Sequence, residues 1–154
     1  MGMLINGKWQ TQIVNPNEGD GEFKRKPVTF RNAISKQPGA EFPAEKDRYH
    51  LYVSLACPWA HRTLIYRKLK GLEEWISVSI VSPLMGDNGW SFEQYPGSTE
   101  DQLHHSEFLR DVYLRADPQF TGRITVPVLW DKKKKKDNKY LSLRIIFNRQ
   151  TILI

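Results

Sequence analysis

The chain has 154 residues, 40% hydrophobic and 26% charged, enough for one domain with its own core and outside the composition of a disordered chain. No apolar run approaches the ~20 residues that a bilayer-spanning helix needs. The net charge of +6 is local, because residues 132–154 hold eight basic side chains against the single acid Asp137 and the rest of the chain is nearly neutral, a distribution that argues against nucleic acid as a partner.

The opening residues, MGMLINGKWQTQIVN, lack the basic start and apolar core of a secretory signal. Asn6 stands where a myristoylation site following Gly2 wants Ser or Thr. One cysteine, Cys57, permits no intrachain disulfide. Together these features predict a cytoplasmic protein. Residues 1–47 contain Pro16, Pro27, Pro38 and Pro43 with Gly19, Gly21 and Gly39 between them, which predicts an extended, mostly irregular leader covering a surface.

Regular structure is expected over residues 48–131. Tyr49 to Ser54 is rich in strand formers. Pro58 suits the first turn of a helix, where its missing N–H has no partner to lose. That helix continues from Trp59 to Lys70 with Ala60, Leu64 and Leu69 facing inward, Lys68 and Lys70 complementing its dipole, and Gly71 as the cap. Trp75 to Val81 reads as a second strand, stopped by Pro83. A long loop with Gly86, Asp87, Asn88, Gly89, Pro96 and Gly97 follows. Leu103 to Ala116 reads as the next helix, burying Phe108, Leu109, Val112, Tyr113 and Ala116 before Asp117-Pro118 ends it. Thr125 to Trp130 reads as the third strand, and Tyr140 to Ile146 has the composition of a fourth. The order β-α-β-α-β-β predicts an α/β, thioredoxin-like domain whose first two strands are parallel with a right-handed crossover.

The chemistry gathers at Cys57, between a strand end and a Pro-led helix. Helix N-termini favour thiolate over thiol, which makes a cysteine there a candidate nucleophile. A lone cysteine is more often a packing residue, but the strand–Cys-Pro–helix context favours reactivity. Ala60 stands where the second cysteine of C-x-x-C would fall, so any adduct needs an external thiol to resolve it. Pro127 interrupts an apolar strand, which calls for an explanation. Either it sits on a sheet edge, or it is a cis-proline facing the active-site helix, with Val126 free to pair with an extended peptide. His104 and His105 are adjacent and on a helix would point about 100° apart, so they cannot share one ion. Cys57 and His61, one helical turn apart, fall short of the three or four ligands of a zinc site. No metal is expected. Trp90 is either a ligand-facing aromatic or a packing residue, and Arg123 either pairs with a carboxylate or is solvated.

Three segments, SLACPWAHRTLIYRKLKGLE, VSIVSPLMGDNGWSF and FTGRITVPVLWDKK, in this order and spacing, are similar to the glutathionyl-hydroquinone reductases. These are also known as Xi-class glutathione transferases and are relatives of the omega class. The likeness runs from about residue 1 to 135. It implies that Cys57 is catalytic, that Trp90 and Arg123 contact glutathione, and that Val126 supplies backbone hydrogen bonds ahead of cis-Pro127. It further implies glutathione as co-substrate, small electrophilic or quinone-derived substrates, reduction of glutathionyl-hydroquinones through a mixed disulfide, and homodimeric family members. The alternatives are a catalytically impaired fragment and a non-enzymatic binding module.

The chain departs from the family after the lysine run. The family follows its fourth strand with a Glu-Ser turn that grips the γ-glutamyl end of glutathione, and then with an all-helical C-terminal domain. Residues 137–154 read DNKYLSLRIIFNRQTILI and contain no Glu-Ser pair. The expected organisation is therefore a leader over 1–47, an incomplete thioredoxin-like domain over 48–131 lacking the helical domain, and a basic tail over 132–154. Lysine codons are adenine-rich, and a change of reading frame near Lys136 is expected to account for the tail.

Overall fold

A computed structural model describes residues 2–11 and 33–133, together with the backbone of 142–143. Its centre is β3 (Tyr49–Ser54), all six residues of which are buried. β3 pairs in parallel with β4 (Ile76–Val81) from Tyr49↔Ile76 to Ser54↔Val81. On its other side it pairs antiparallel with β5 (Val128–Asp131), from Tyr49↔Asp131 to Tyr52↔Val128. A short strand, β6 (Ser142–Leu143), adds to β5 through Leu129↔Leu143 and Trp130↔Ser142. The resulting order, β4-β3-β5-β6, is the thioredoxin-like sheet that the element order predicts. Expectations for residues 12–32, 134–141 and 144–154, including part of the leader, most of the lysine run and the reading frame, lie outside the described residues.

The crossover between the parallel strands is α1 (Pro58–Leu69), with Cys57 at its N-cap and Pro58 in its first turn. Ala60 and Thr63 are buried and Leu64 packs half-buried on the core. Leu69 is instead 75% exposed, correcting its expected inward position. Nine residues separate it from Ala60, and at about 100° per residue that places it on the opposite side of the helix. The inward row continues through Arg67, whose guanidinium donates to Ile76 O at 2.7 Å and Glu73 O at 2.8 Å.

The helix ends in a Schellman motif. Leu72 N–H donates to Arg67 O at 2.9 Å and Gly71 N–H to Lys68 O at 3.1 Å, with Gly71 at φ +62°. A Cβ at Gly71 would meet open space, so any penalty there comes from the backbone alone. Gly71→Ala is expected to cost about 1 kcal/mol in urea denaturation. An unchanged midpoint would contradict that assignment.

The second helix is shorter than its pattern predicts. α2 spans Leu109–Ala116, six residues short of the expected start at Leu103. Asp101 causes the difference. Its buried carboxylate accepts the N–H groups of Leu103 (3.1 Å), His104 (3.2 Å) and Ser106 (3.2 Å), and the Tyr52 hydroxyl at 3.0 Å. These bonds offer the backbone a competitor to helix, and His105, at φ +53°, is not helical. The helix begins where Asp111 Oδ2 accepts Phe108 N–H at 3.0 Å. Leu109, Val112, Tyr113 and Ala116 are buried as expected.

The leader is not wholly irregular. β1 (Met3–Ile5) and β2 (Lys8–Gln10) form an antiparallel hairpin, in register Met3↔Gln10. Asn6 and Gly7 make its turn at φ +48° and +74°, the Asn-Gly signature of a two-residue hairpin loop. That dipeptide was the signal available in the sequence. Leu4 is fully buried and joins the core with Phe42, Tyr49, Leu51, Val53, Leu109, Val112 and Leu129. Between β5 and β3, Asp131 and Arg48 form a bidentate ion pair of 2.6–3.0 Å, the carboxylate fully buried, the strongest geometry available to such a pair.

Candidate active site

Cys57 sits where β3 hands over to α1. The chain leaves Ser54, turns through a Cys57 N–H···O Ser54 bond of 3.2 Å, and enters the helix with Cys57 extended (φ −104°, ψ 115°). No side chain caps this end of the helix, so backbone N–H groups at the start of α1 stay available to a ligand. The thiol is half-buried and free. Its Sγ lies 3.9 Å from Val126 O and can donate to it weakly. Val126 precedes Pro127 through a cis peptide bond. Thus Cys57 and the Val126-Pro127 pair, 69 residues on along the chain, meet at one end of the inner strands β3 and β5.

The strand after Pro127 begins at Val128, later than the expected Thr125. Residues 124–127 instead approach the sheet as a loop, and Tyr113 of α2 holds it. Its hydroxyl donates to Thr125 O at 2.9 Å and accepts Thr125 N–H at 3.4 Å. Among the described residues no group accepts from the Val126 N–H. Sequence reasoning missed Tyr113 as a support of the site and read it only as a core residue.

Trp90 and Arg123 occupy other loops. Trp90 packs half-buried against the core, and its carbonyl accepts the N–H of Leu109 at 2.9 Å. Arg123 is exposed and pairs with no carboxylate among the described residues. His61, on α1, is exposed, and its N–H closes the first helical bond with Cys57 O at 2.9 Å. Among the described residues no three His, Cys, Asp or Glu side chains come together as a metal site, and no helix is long and apolar enough to cross a membrane. Leu55 and Trp59, on either side of Cys57 in sequence, are 51% and 60% exposed, so the surface around the thiol has an apolar component.

Residues 56–143 match the family model described as glutathione S-transferase, N-terminal domain. The chain is 57% identical over 140 residues to the glutathionyl-hydroquinone reductase YqjG of Escherichia coli, an alignment covering 86% of this chain and 43% of that protein. Among solved structures, a Xi-class glutathione transferase from Natrialba magadii superposes with a TM-score of 0.79 at 45% identity, over 94% of this chain and 42% of that one. The glutathione-bound structure of YqjG gives 0.71 at 50% identity, over 90% and 41%. The chain thus spans about two fifths of the length of these relatives. It belongs to the glutathione S-transferase family, matches that family's thioredoxin-like N-terminal domain, and has glutathionyl-hydroquinone reductases and Xi-class transferases as close relatives.

Proposed function

We propose that the protein is a glutathione-dependent thiol oxidoreductase that reduces glutathionyl-hydroquinones through a Cys57 mixed disulfide. One observation carries the reading. A half-buried cysteine at an uncapped helix N-terminus lies 3.9 Å from the Val126 carbonyl, beside a backbone edge able to receive an extended tripeptide. In this reading Val126 pairs with glutathione as a neighbouring strand would. Trp90 packs on it, and Arg123 binds one of its carboxylates.

The chemistry balances in two steps. The Cys57 thiolate attacks the sulfur of the glutathionyl-hydroquinone. A Cys57–glutathione disulfide forms, the carbon–sulfur bond breaks, and the hydroquinone carbon takes up a proton. A second glutathione thiolate then attacks the glutathionyl sulfur, releasing oxidised glutathione and restoring the Cys57 thiolate. The substrate is reduced and two glutathione sulfurs are oxidised. The absence of a second cysteine makes the external thiol obligatory. The same reading puts the enzyme in a reducing cytoplasm without a metal cofactor, and takes full-length family members to be homodimers.

Intact-mass analysis after exposure to glutathione disulfide tests it. The expected result is one glutathionyl adduct, mapped to Cys57, that free glutathione removes. Incubation with a glutathionyl-hydroquinone and free glutathione should then yield hydroquinone and oxidised glutathione in equal amounts. An inert Cys57 would sink the enzymatic reading and leave a catalytically impaired fragment.

A further inference from the structure

The N-terminal hairpin touches both loops that carry the proposed glutathione contacts. Toward Arg123, Leu4 and Gly122 exchange two main-chain hydrogen bonds of 2.9 Å, Gly7 N–H donates to Phe120 O at 3.0 Å, and Asn6 N–H donates to Thr121 Oγ1 at 2.8 Å. Toward Trp90, the Trp9 indole Nε1–H donates to Asp87 O at 2.9 Å. The Trp9 ring lies against Gly89, where an added Cβ would sit 3.0 Å from Cη2. From the other side Arg110 of α2 stacks over Trp9 at 5.1 Å and over Phe108 at 4.1 Å, and its Nη1 donates to Asn88 O at 2.9 Å and Asn88 Oδ1 at 3.0 Å. The loop over residues 86–90 is therefore gripped between Trp9 and the first turn of α2.

Without that grip, a loop holding Gly86 and Gly89 would sample many conformations, and ordering it would be charged against ligand binding. We infer that Trp9 is a positioning residue for glutathione: through the hairpin it fixes the loops of Trp90 and Arg123 relative to each other before the ligand arrives. The inference rests on the reading that these two residues contact glutathione. Trp9 itself touches the loop and not the thiol.

The test uses the full chain labelled with 5-fluorotryptophan, with the Trp90 and Trp130 resonances assigned by single substitutions and glutathione affinity measured calorimetrically. Trp9→Ala should shift or broaden the Trp90 resonance, leave that of core Trp130 unmoved, and weaken glutathione binding about tenfold. Trp9→Phe keeps the ring against Gly89 and Arg110 but loses the N–H donor, and should weaken binding about threefold. In a Trp90→Ala background, Trp9→Ala should add less than about a twofold loss, since the loop then carries no contact to position. An unmoved Trp90 resonance, or the same loss of affinity in both backgrounds, would overturn the inference. Should Trp90→Ala and Arg123→Ala both bind glutathione as the parent does, the reading of the site fails, and the positioning role fails with it. That result is distinct from failure of the brace alone, where Trp90→Ala weakens binding and Trp9→Ala does not.

Discussion

Cys57→Ser is expected to keep the fold and the non-covalent affinity for glutathione while reducing thiol exchange and hydroquinone release to the uncatalysed level. Three features of the site separate these effects. The Cys57 side chain is half-buried and makes only a long sulfur contact to Val126 O at 3.9 Å, so replacing sulfur by oxygen removes less than about 1 kcal/mol of stability. The groups proposed to bind glutathione, Val126, Trp90 and Arg123, lie on other segments and are untouched. A serine hydroxyl, by contrast, neither ionises near neutral pH nor forms a disulfide, so the first step loses its nucleophile and the second loses the mixed disulfide it acts on. Calorimetry of glutathione binding and the appearance of oxidised glutathione measure the two effects independently. A serine variant that still turned over a glutathionyl-hydroquinone would remove Cys57 from the mechanism. One that lost glutathione binding altogether would make the cysteine a binding residue first.

What the sequence revealed and what it concealed divides by the range of the interactions. β3, the Cys57-Pro58 helix start and the Gly71 terminus are settled by neighbours within a few residues: a run of strand formers, a proline without an N–H, and a glycine able to take φ +62°. All three were legible. The start of α2 was not, because apolar spacing continues back to Leu103 while Asp101, anchored by Tyr52 49 residues away, diverts the intervening N–H groups. Proline and glycine density in the leader outweighed the Asn6-Gly7 pair, so the hairpin went unread. Leu69 is apolar, but its angle from Ala60 turns it away from the core. At the site, Cys57 and Pro127 announce themselves by residue type and context. The supports around them, Tyr113 under Thr125 and Trp9 against Gly89, exist only through contacts between distant segments.

Acid is expected to weaken the fold in two separable steps, the first of them driven by His50. This residue is 1% exposed on the central strand, with Nδ1 2.7 Å from Ser77 Oγ and Nε2 3.0 Å from Ser79 Oγ. A neutral imidazole satisfies both hydroxyls, donating to one and accepting from the other. Burial pushes its pKa down to about 4, against the opposing pull of the Asp101 carboxylate. The unfolded chain takes up that proton near pH 6.5, so the unfolded state binds more protons and stability falls with pH across the interval from about 6.5 to 4, levelling off below it. A depression of this size is worth about 3 kcal/mol. His104, also lowered chiefly by burial and also opposed by Asp101, adds in the same direction.

Asp101 acts later. Burial alone would raise its pKa, but hydrogen bonds from the N–H groups of Leu103, His104 and Ser106 hold it below the usual carboxylate range. Its contribution is intact above the unfolded value near 4 and is lost only as pH falls further. Urea midpoints at pH 7.5, 5.5 and 4.5 resolve the first step. His50→Gln, which can hydrogen-bond a serine but cannot titrate, should flatten most of the slope over that range and leave the loss below pH 4 in place. An unchanged slope in His50→Gln would assign the first step to another group.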